Sequence, residues 1–136
     1  MSTAKRLGLP PAARLKTQSD YDRVHRTGLK FHGRLFLARV DVFPDEVSPA
    51  GPTRDPRLGL RVAKRHGSAV ERNRIKRLLR EGFRRSRREW EYAADVVLIP
   101  KTQGWNEVKL RDLQEDFERL ERQIRRFAQD LKREKK

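Results

Sequence analysis

Residues 57–88, RLGLRVAKRHGSAVERNRIKRLLREGFRRSRR, decide how the rest of this 136-residue chain folds. The stretch begins with the alternating pattern of a short strand, turns through Gly67 and Ser68, and continues as a strongly basic helix. Between Arg57 and Trp90 there are 13 lysines and arginines against 3 glutamates, a local net charge of +10 out of +15 for the chain. Most of the excess charge therefore lies on one predicted strand–turn–helix unit.

The basic helix has a defined start and a side suited to burial. Ser68 and Glu71 have the spacing of a capping box, in which each side chain bonds the backbone of the other residue. An apolar stripe then recurs at spacings of three and four residues, as expected for a helix that packs on a sheet. The stripe consists of Ile75, Leu78, Leu79, Gly82 and Phe83. A glycine within it predicts a close approach of the helix to the sheet.

The length of the chain fits one domain. Residues 1–13 include two adjacent prolines and no hydrophobic period, so they predict a flexible tail before a single domain at 14–136. The absence of cysteine excludes disulfides and thiolate metal sites and suits a reducing, cytoplasmic location. No apolar run approaches the roughly 20 residues of a membrane span, so we expect no membrane association.

The N-terminal half of the domain predicts a short helix followed by a strand. Thr17 or Ser19 can cap a helix over residues 18–27, and Gly28 can end it. Residues 31–43 alternate as one long strand. Its predicted core face consists of Phe36, Ala38, Val40 and Val42.

The remaining elements surround the basic helix. Residues 44–56 contain four prolines and predict a disordered-type loop joining two strands of a hairpin, the second at 57–63. DVVLIP at residues 95–100 predicts a central strand buried on both faces. A long helix is predicted from about residue 107 to 133.

This last helix carries a regular hydrophobic seam. Its apolar residues alternate spacings of three and four: Leu110, Leu113, Phe117, Leu120, Ile124, Phe127 and Leu131. The seam predicts that the helix covers a sheet. Since the part from Ile124 onward is expected to extend past a small sheet, a homodimer through this helix is the alternative.

The acidic and histidine residues do not form a catalytic pattern. A two-metal nuclease needs several carboxylates converging from strand ends, and Asp41 and Asp95 are the strand-associated candidates. The histidines, at positions 25, 32 and 66, lack the spacing of a helical zinc pair and are expected at the surface or in contact with RNA. Catalysis by the protein alone is therefore not expected.

The charge pattern indicates a nucleic acid as partner, because cationic side chains that neutralise phosphates release condensed counterions. Arginines outnumber lysines on the basic helix, which favours bidentate phosphate contacts. A zipper-type DNA binder needs one unbroken helix, and Pro100 and Gly104 interrupt it. A folded RNA recognised by its shape and phosphates fits better.

These residues resemble the signature of the bacterial ribonuclease P protein subunit. The matching residues are Arg57-Leu58-Gly59-Leu60, Lys64-Arg65, Gly67, Ala69-Val70 and Arg72-Asn73-Arg74-Ile75-Lys76-Arg77-Leu78-Leu79-Arg80. The similarity extends to Arg14-Leu15-Lys16, to Arg34 and Phe36, and to DVVLIP, and it covers about residues 14–125.

The resemblance implies an α+β two-layer sandwich, in which a small, mainly antiparallel sheet packs with three helices. It further implies a likeness to the second domain of ribosomal protein S5 and a left-handed β-α-β crossover, against the usual right-handed rule.

The resemblance also implies a function: assisting removal of the 5′ leader from precursor tRNA, with the catalytic Mg2+ held mainly by the ribonuclease P RNA. By similarity, the RNA subunit would contact Lys64, Arg65, Arg72, Asn73, Arg74, Lys76, Arg77 and Arg80. Arg72 lies at the edge of the apolar stripe, so its alternative role is to hold the turn.

A leader-binding cleft between the first helix and the open sheet face would contain Arg14, Lys16, Tyr21, His25, Arg34, Phe36 and Arg39. Tyr21 stands where the family usually has phenylalanine, and His25 and Arg39 lie at or near positions where an aromatic residue is common. The cleft is therefore expected to be more basic and less aromatic than is usual. A ribosomal or other structural RNA-binding protein, and a stand-alone nuclease, are the rival interpretations.

Overall fold

The computed structural model describes residues 9–102 and 104–134, which form a four-stranded sheet, a small two-stranded sheet and three helices. The elements are α1 (Gln18–Thr27), β1 (Leu29–His32), β2 (Phe36–Phe43), β3 (Val47–Ser48), β4 (Gly51–Pro52), β5 (Arg57–Leu60), α2 (Ala69–Ser86), β6 (Ala93–Pro100) and α3 (Leu110–Glu134). Among the residues described, no helix is long and apolar enough to span a membrane.

The main sheet has the strand order β1-β2-β6-β5. The β1–β2 and β2–β6 pairs are antiparallel, and β5 runs parallel to β6. This mixed, mostly antiparallel sheet with three helices confirms the predicted α+β fold. The chain passes from β5 through α2 to its parallel neighbour β6, and the left hand of this crossover stays a prediction.

The central strand β6 separates two hydrophobic clusters. Ala94, Val96 and Leu98 join the main core with the apolar side chains of α2 and α3. Because side chains alternate along a strand, Val97 points to the opposite face, where it packs with Leu15 and with Val24 of α1. DVVLIP is thus buried on both sides, as predicted, and α1 packs on the face opposite α2 and α3.

Residues 31–43 do not form one strand, as predicted, but parts of two. The chain turns between β1 and β2, where Gly33 donates a backbone hydrogen bond of 2.9 Å to the Phe36 carbonyl. The buried carboxylate of Asp116, on α3, accepts hydrogen bonds from the backbone N–H groups of Arg34 (3.1 Å) and Leu35 (2.7 Å). Asp116, which is 81 or 82 positions away in the sequence, therefore holds this turn. The alternating pattern of residues 31–43 could not predict such a contact.

Residues 44–56, for which the prolines predicted a disordered-type loop, form an arm beside the sheet. The arm contains the β3–β4 pair, and Thr53 donates a backbone hydrogen bond of 2.9 Å to Glu46. Its Arg54 lies 4.2 Å from the ring centroid of Phe43. The arm also does not close a hairpin, because β6 lies between β2 and β5.

The predicted tail is wrong for residues 9–13. Leu9 and Ala13 are buried in the main core, and residues 11–13 form a single 3-10 turn. Leu15 then donates a backbone hydrogen bond of 2.8 Å to the carbonyl of Leu58, in β5. The apolar side chains at 9, 13 and 15 were sufficient to anchor a segment that looked aperiodic. Residues 1–8 of the predicted tail lie outside the described residues.

Gly82 permits the close approach that its position predicted, but the partner is α3 and not the sheet. A Cβ atom at Gly82 would lie 2.5 Å from Cε2 of Phe117. Phe117 also packs against Phe83, with ring centroids 6.5 Å apart. Both helices therefore rest on the same sheet face and touch through a glycine.

The seam of α3 is covered by its own chain further than expected. Ile124 and Ala128 are buried in the main core, and Phe127 packs against it. The segment after α2 reaches this end of the helix, since Glu91 pairs with Arg125 at 3.3 Å and Lys132 lies 5.3 Å from the ring centroid of Tyr92. The apolar residues of α3 from Ile124 onward therefore do not extend beyond the core, as had been expected. The homodimer stays a prediction, but an uncovered end of this helix no longer supports it.

Candidate nucleic-acid interface

The start of α2 is fixed by the predicted capping box. The backbone N–H of Ser68 donates to Oε1 of Glu71 at 2.8 Å, and that of Glu71 donates to Oγ of Ser68 at 3.2 Å. The hydrogen bond from the Ser68 backbone, and then one from the Ser68 hydroxyl, lower the pKa of the Glu71 carboxyl below its usual value. Gly67 precedes the cap with φ +124°, a conformation that side chains rarely allow. The turn and the cap therefore set where the basic side chains begin.

Burial of one side of α2 leaves its cations outside. Ile75, Leu79 and Phe83 are buried, and Leu78 packs against the core. Asn73 and Arg77 are exposed, Lys76 and Arg80 are half-buried, and Lys64 and Arg65 are exposed in the turn before the helix. Within residues 9–102 and 104–134, the side chains of these six residues make no hydrogen bond or ion pair. We call Lys64, Arg65, Asn73, Lys76, Arg77 and Arg80 the open basic face.

Two predicted RNA-binding residues are used by the fold itself. The guanidinium of Arg74 donates to the carbonyls of Trp105 and Val108, both at 2.7 Å, and so ties α2 to the loop before α3. Nε of Arg72 lies 3.4 Å from the Ser68 carbonyl, as expected if it holds the turn. The sequence does not distinguish these arginines from Arg77, because the difference lies in what each side chain meets across the fold.

The C-terminal half of α2 is less cationic at its surface than its sequence suggests. Arg84 donates two hydrogen bonds of 2.8 and 2.6 Å to Glu81, and Arg85 adds a third of 2.9 Å. Hydrogen bonding to Arg84 lowers the pKa of the Glu81 carboxyl. Arg87 reaches Asp55 of the arm at 3.8 Å. Unpaired positive charge is therefore concentrated near the helix start.

Three of the predicted cleft residues lie on α1 or bind to it. The hydroxyl of Tyr21 accepts a hydrogen bond of 3.1 Å from the backbone of Leu60, and its ring packs over Gly59. Arg39, on β2, donates to the backbone carbonyl of His25 at the end of α1. Arg61 was not predicted for this site, and its guanidinium carbon lies 5.4 Å from the centroid of the Tyr21 ring. An aromatic ring and two arginines therefore lie along α1.

The other predicted cleft residues lie elsewhere. Phe36 is fully buried in the main core, with its ring centroid 5.0 Å from that of Phe117, so its assignment to the cleft is wrong. Its neighbours in the alternating pattern already placed it on the core face. Arg34 is exposed in the β1–β2 turn and Lys16 before α1. Arg14 lines a cavity together with Arg77 and Arg80 of the open basic face.

The two strand carboxylates are paired with arginines. Asp41 and Asp95 are direct neighbours across β2 and β6, and Asp95 is fully buried. Arg23 binds both of them, and Arg57 donates two hydrogen bonds to Asp95. These hydrogen bonds raise the pKa of Arg57. In the part of the chain that is described, no group of three acidic, histidine or cysteine residues is placed to hold a metal.

His66 was expected at the surface or on RNA, and it is instead buried. Its Nδ1 accepts a hydrogen bond of 2.9 Å from the backbone of Ala63, so Nε2 is the nitrogen that donates to the Pro100 carbonyl, at 2.8 Å. These two hydrogen bonds attach the turn that contains Lys64 and Arg65 to Pro100, the last residue of β6. The histidine therefore positions the basic turn from within.

Comparison with known proteins agrees with this geometry. The sequence profile of the family described as Ribonuclease P matches residues 9–133. The chain is similar to the ribonuclease P protein component of Brucella suis, with 39% identity over 68% of this chain and 67% of that one. The corresponding protein of Finegoldia magna is 36% identical over 66% of this chain and 72% of its own length. The solved RNase P protein of Staphylococcus aureus superposes with a TM-score of 0.60 at 28% identity, covering 79% of this chain and 91% of that chain.

Proposed function

Since this chain belongs to the ribonuclease P protein family, we propose that it binds the ribonuclease P RNA and the 5′ leader of precursor tRNA. In this role it assists the endonucleolytic removal of the leader, which produces the mature 5′ end of the tRNA. The membership itself implies tRNA processing with an RNA partner, and the two binding roles are the proposed part.

The open basic face is the observation that carries the proposal. Arg77 and its neighbours extend from the buried stripe of α2 without a carboxylate partner among the described residues. Uncompensated cations on a rigid helix suit the phosphates of a folded RNA, because each contact releases counterions and the helix fixes the spacing. The face is assigned to the RNA subunit.

The cleft beside α1 is assigned to the single-stranded leader. Tyr21 offers a ring for base stacking, Arg61 lies beside that ring, and Arg39 lies at the end of α1, where each can meet phosphates or base edges. The hydrogen bond of the Tyr21 hydroxyl to Leu60 holds the ring in place. A fixed aromatic ring with a cation beside it suits a flexible strand that has no structure of its own.

The chemistry of cleavage is assigned to the RNA subunit together with Mg2+. The carboxylates that stand side by side in the sheet, Asp41 and Asp95, are already bound by Arg23 and Arg57. A protein that neutralises phosphates reduces the Mg2+ needed to hold the RNA in its folded form. The complex is expected in the cytoplasm, where precursor tRNA is made.

A reconstitution assay tests the proposal. The full chain is mixed with bacterial ribonuclease P RNA and a leader-bearing precursor tRNA at low Mg2+, and cleavage is compared with that of the RNA alone. We expect faster cleavage at the leader junction with the protein present. Equal rates with and without protein would contradict the proposal and favour another structural RNA-binding role. Cleavage by the protein without the RNA would indicate a stand-alone nuclease.

A further inference from the structure

A cavity of about 570 Å³ lies between the N-terminal segment, α2 and the first turn of α3. Its walls combine three leucines with three arginines: Leu9, Leu78 and Leu110, and Arg14, Arg77 and Arg80. Sites for small ligands are typically about 300–1,000 Å³ in volume and mostly apolar, with a few placed polar groups. The cavity has the size and the composition of such a site.

Among the residues that the structure describes, none supplies a carboxylate partner to the arginines of this cavity. Nε of Arg14 donates to the backbone carbonyl of Leu9 at 3.0 Å, and this bond leaves its charge uncompensated. Glu81 also lines the cavity, but its carboxylate is bound by Arg84 and Arg85 outside it. Burial, and then the nearby charge of Arg14, lower the pKa of Arg80. An anion placed among these groups would relieve their repulsion.

We propose that this cavity binds one unstacked nucleotide of the RNA subunit, with its base against the leucines and its phosphate among the arginines. The inference rests on the proposed function and names the ligand of one part of the open basic face. A phosphate backbone alone matches the arginines and leaves the leucines without a contact. A nucleotide has an apolar ring face and an anionic group and matches both, as in single-strand binding sites.

Methyl NMR of the full chain provides the direct test. The protein, with labelled leucine methyl groups, is titrated with AMP and, separately, with ribose 5-phosphate, which has the same anionic group and no base. We expect AMP to shift the methyl signals of Leu9, Leu78 and Leu110 and ribose 5-phosphate to leave them in place. Equal shifts with both ligands, or AMP shifts confined to other leucines, would overturn the proposal. So would shifts of these signals on raising the protein concentration alone, which would indicate a second copy as the occupant.

A cavity-filling variant tests the same site in the complex. Leu110→Trp adds bulk to the cavity without removing a cation, and Leu131→Trp is the matched control at a half-buried position near the other end of α3. We expect Leu110→Trp to weaken binding to the ribonuclease P RNA about tenfold, and the control to bind as the wild type does. Equal binding by all three proteins contradicts the nucleotide site and leaves the proposed function standing. Absence of binding by the wild type would instead contradict the proposed function.

Discussion

Arg57 holds the fully buried carboxylate of Asp95 with two hydrogen bonds, of 2.9 and 2.7 Å. Arg23 approaches the same carboxylate from α1 at 2.6 Å and also binds Asp41 on the neighbouring strand. Two adjacent strand carboxylates are thus compensated by arginines from two other elements. This network joins α1, β2, β5 and β6 on the sheet face opposite the main core.

Removing the charge at the centre of this network should destabilise the protein. Asp95→Asn leaves Arg57 and Arg23 without their buried counter-charge, and we expect the free energy of unfolding to fall by about 3 kcal/mol. Urea denaturation followed by circular dichroism measures the change. Asp130→Asn is the control, because Asp130 pairs with Arg133 at 3.9 Å on an exposed surface and should cost less than about 1 kcal/mol. Similar losses for both variants would contradict a special role for Asp95.

Two arginines three residues apart on α2 should behave differently. Arg74→Ala removes both bonds to the loop carbonyls and should lower the free energy of unfolding by about 2 kcal/mol. Arg77→Ala should leave stability within about 0.5 kcal/mol and lower the salt slope of binding to the RNA subunit by about one unit. Thermal unfolding and binding at several salt concentrations separate the two effects. A reduced slope without a stability loss for Arg74→Ala would place its side chain on the RNA.

Tyr21 should affect the leader more than the tRNA body. If its ring stacks on a leader base, Tyr21→Ala weakens binding of leader-bearing precursor tRNA by about 1–3 kcal/mol and leaves mature tRNA nearly unaffected. The affinities of the reconstituted complex for both RNAs measure this difference. Tyr21→Phe serves as the control because it keeps the ring and loses the bond to Leu60. Equal losses for precursor and mature tRNA would exclude a leader-specific role.

The contact between α2 and α3 should tolerate no side chain at its centre. Gly82→Ala places a methyl group against Phe117, and the expected loss from overpacking is about 1–3 kcal/mol. Intrinsic helix propensity acts in the opposite direction, because alanine favours a helix over glycine by about 1 kcal/mol. Asn73→Ala, at an exposed position of the same helix, should therefore be neutral or slightly stabilising. A stabilised Gly82→Ala protein in chemical denaturation would show that the two helices can separate without cost.

Glu121 provides a pH dependence of defined sign. Burial raises the pKa of its carboxyl above the ordinary 4.5, and the nearby Glu91 raises it too, whereas Arg125 lowers it. The folded state thus holds this proton more tightly than the unfolded state, and the resulting stability is lost as the pH rises through the raised pKa. Glu121→Gln should therefore gain stability relative to the wild type at pH 7, and the gain should shrink as the pH falls towards 4.5. A gain that does not vary with pH in denaturation curves would contradict the shift.

Local patterns predicted the features that depend on neighbouring residues. The cap at Ser68 and Glu71 and the buried side of α2 follow from spacing within one helix, and both are present. The β1–β2 turn was missed because Asp116, from the far end of the chain, supplies its hydrogen bonds. A turn held by tertiary contacts has no local signature in the sequence.

The candidate site shows the same division. The charge and the order of the residues correctly indicated that α2 presents cations at its surface. They did not indicate which arginines make hydrogen bonds within the fold. Arg74 and Arg77 have the same chemistry, and only the loop carbonyls of Trp105 and Val108 distinguish them. Phe36 was placed in the cleft by resemblance, although its own strand pattern placed it in the core, where it lies. The pattern was the better guide at that position.

The pairing of β2 with β6 has a consequence for synthesis on the ribosome. β2 contributes Phe36–Phe43 to the centre of the sheet, yet its partner Ala93–Pro100 and the carboxylate of Asp116 are translated much later. Synthesis proceeds at about 5–20 residues per second. For several seconds after its own synthesis, β2 therefore has one hydrogen-bonding edge unpaired and one apolar face uncovered. Such long-range closure slows folding and exposes a strand to other chains. The nascent chain therefore passes through an interval in which a ribosome-associated chaperone has a defined segment to protect.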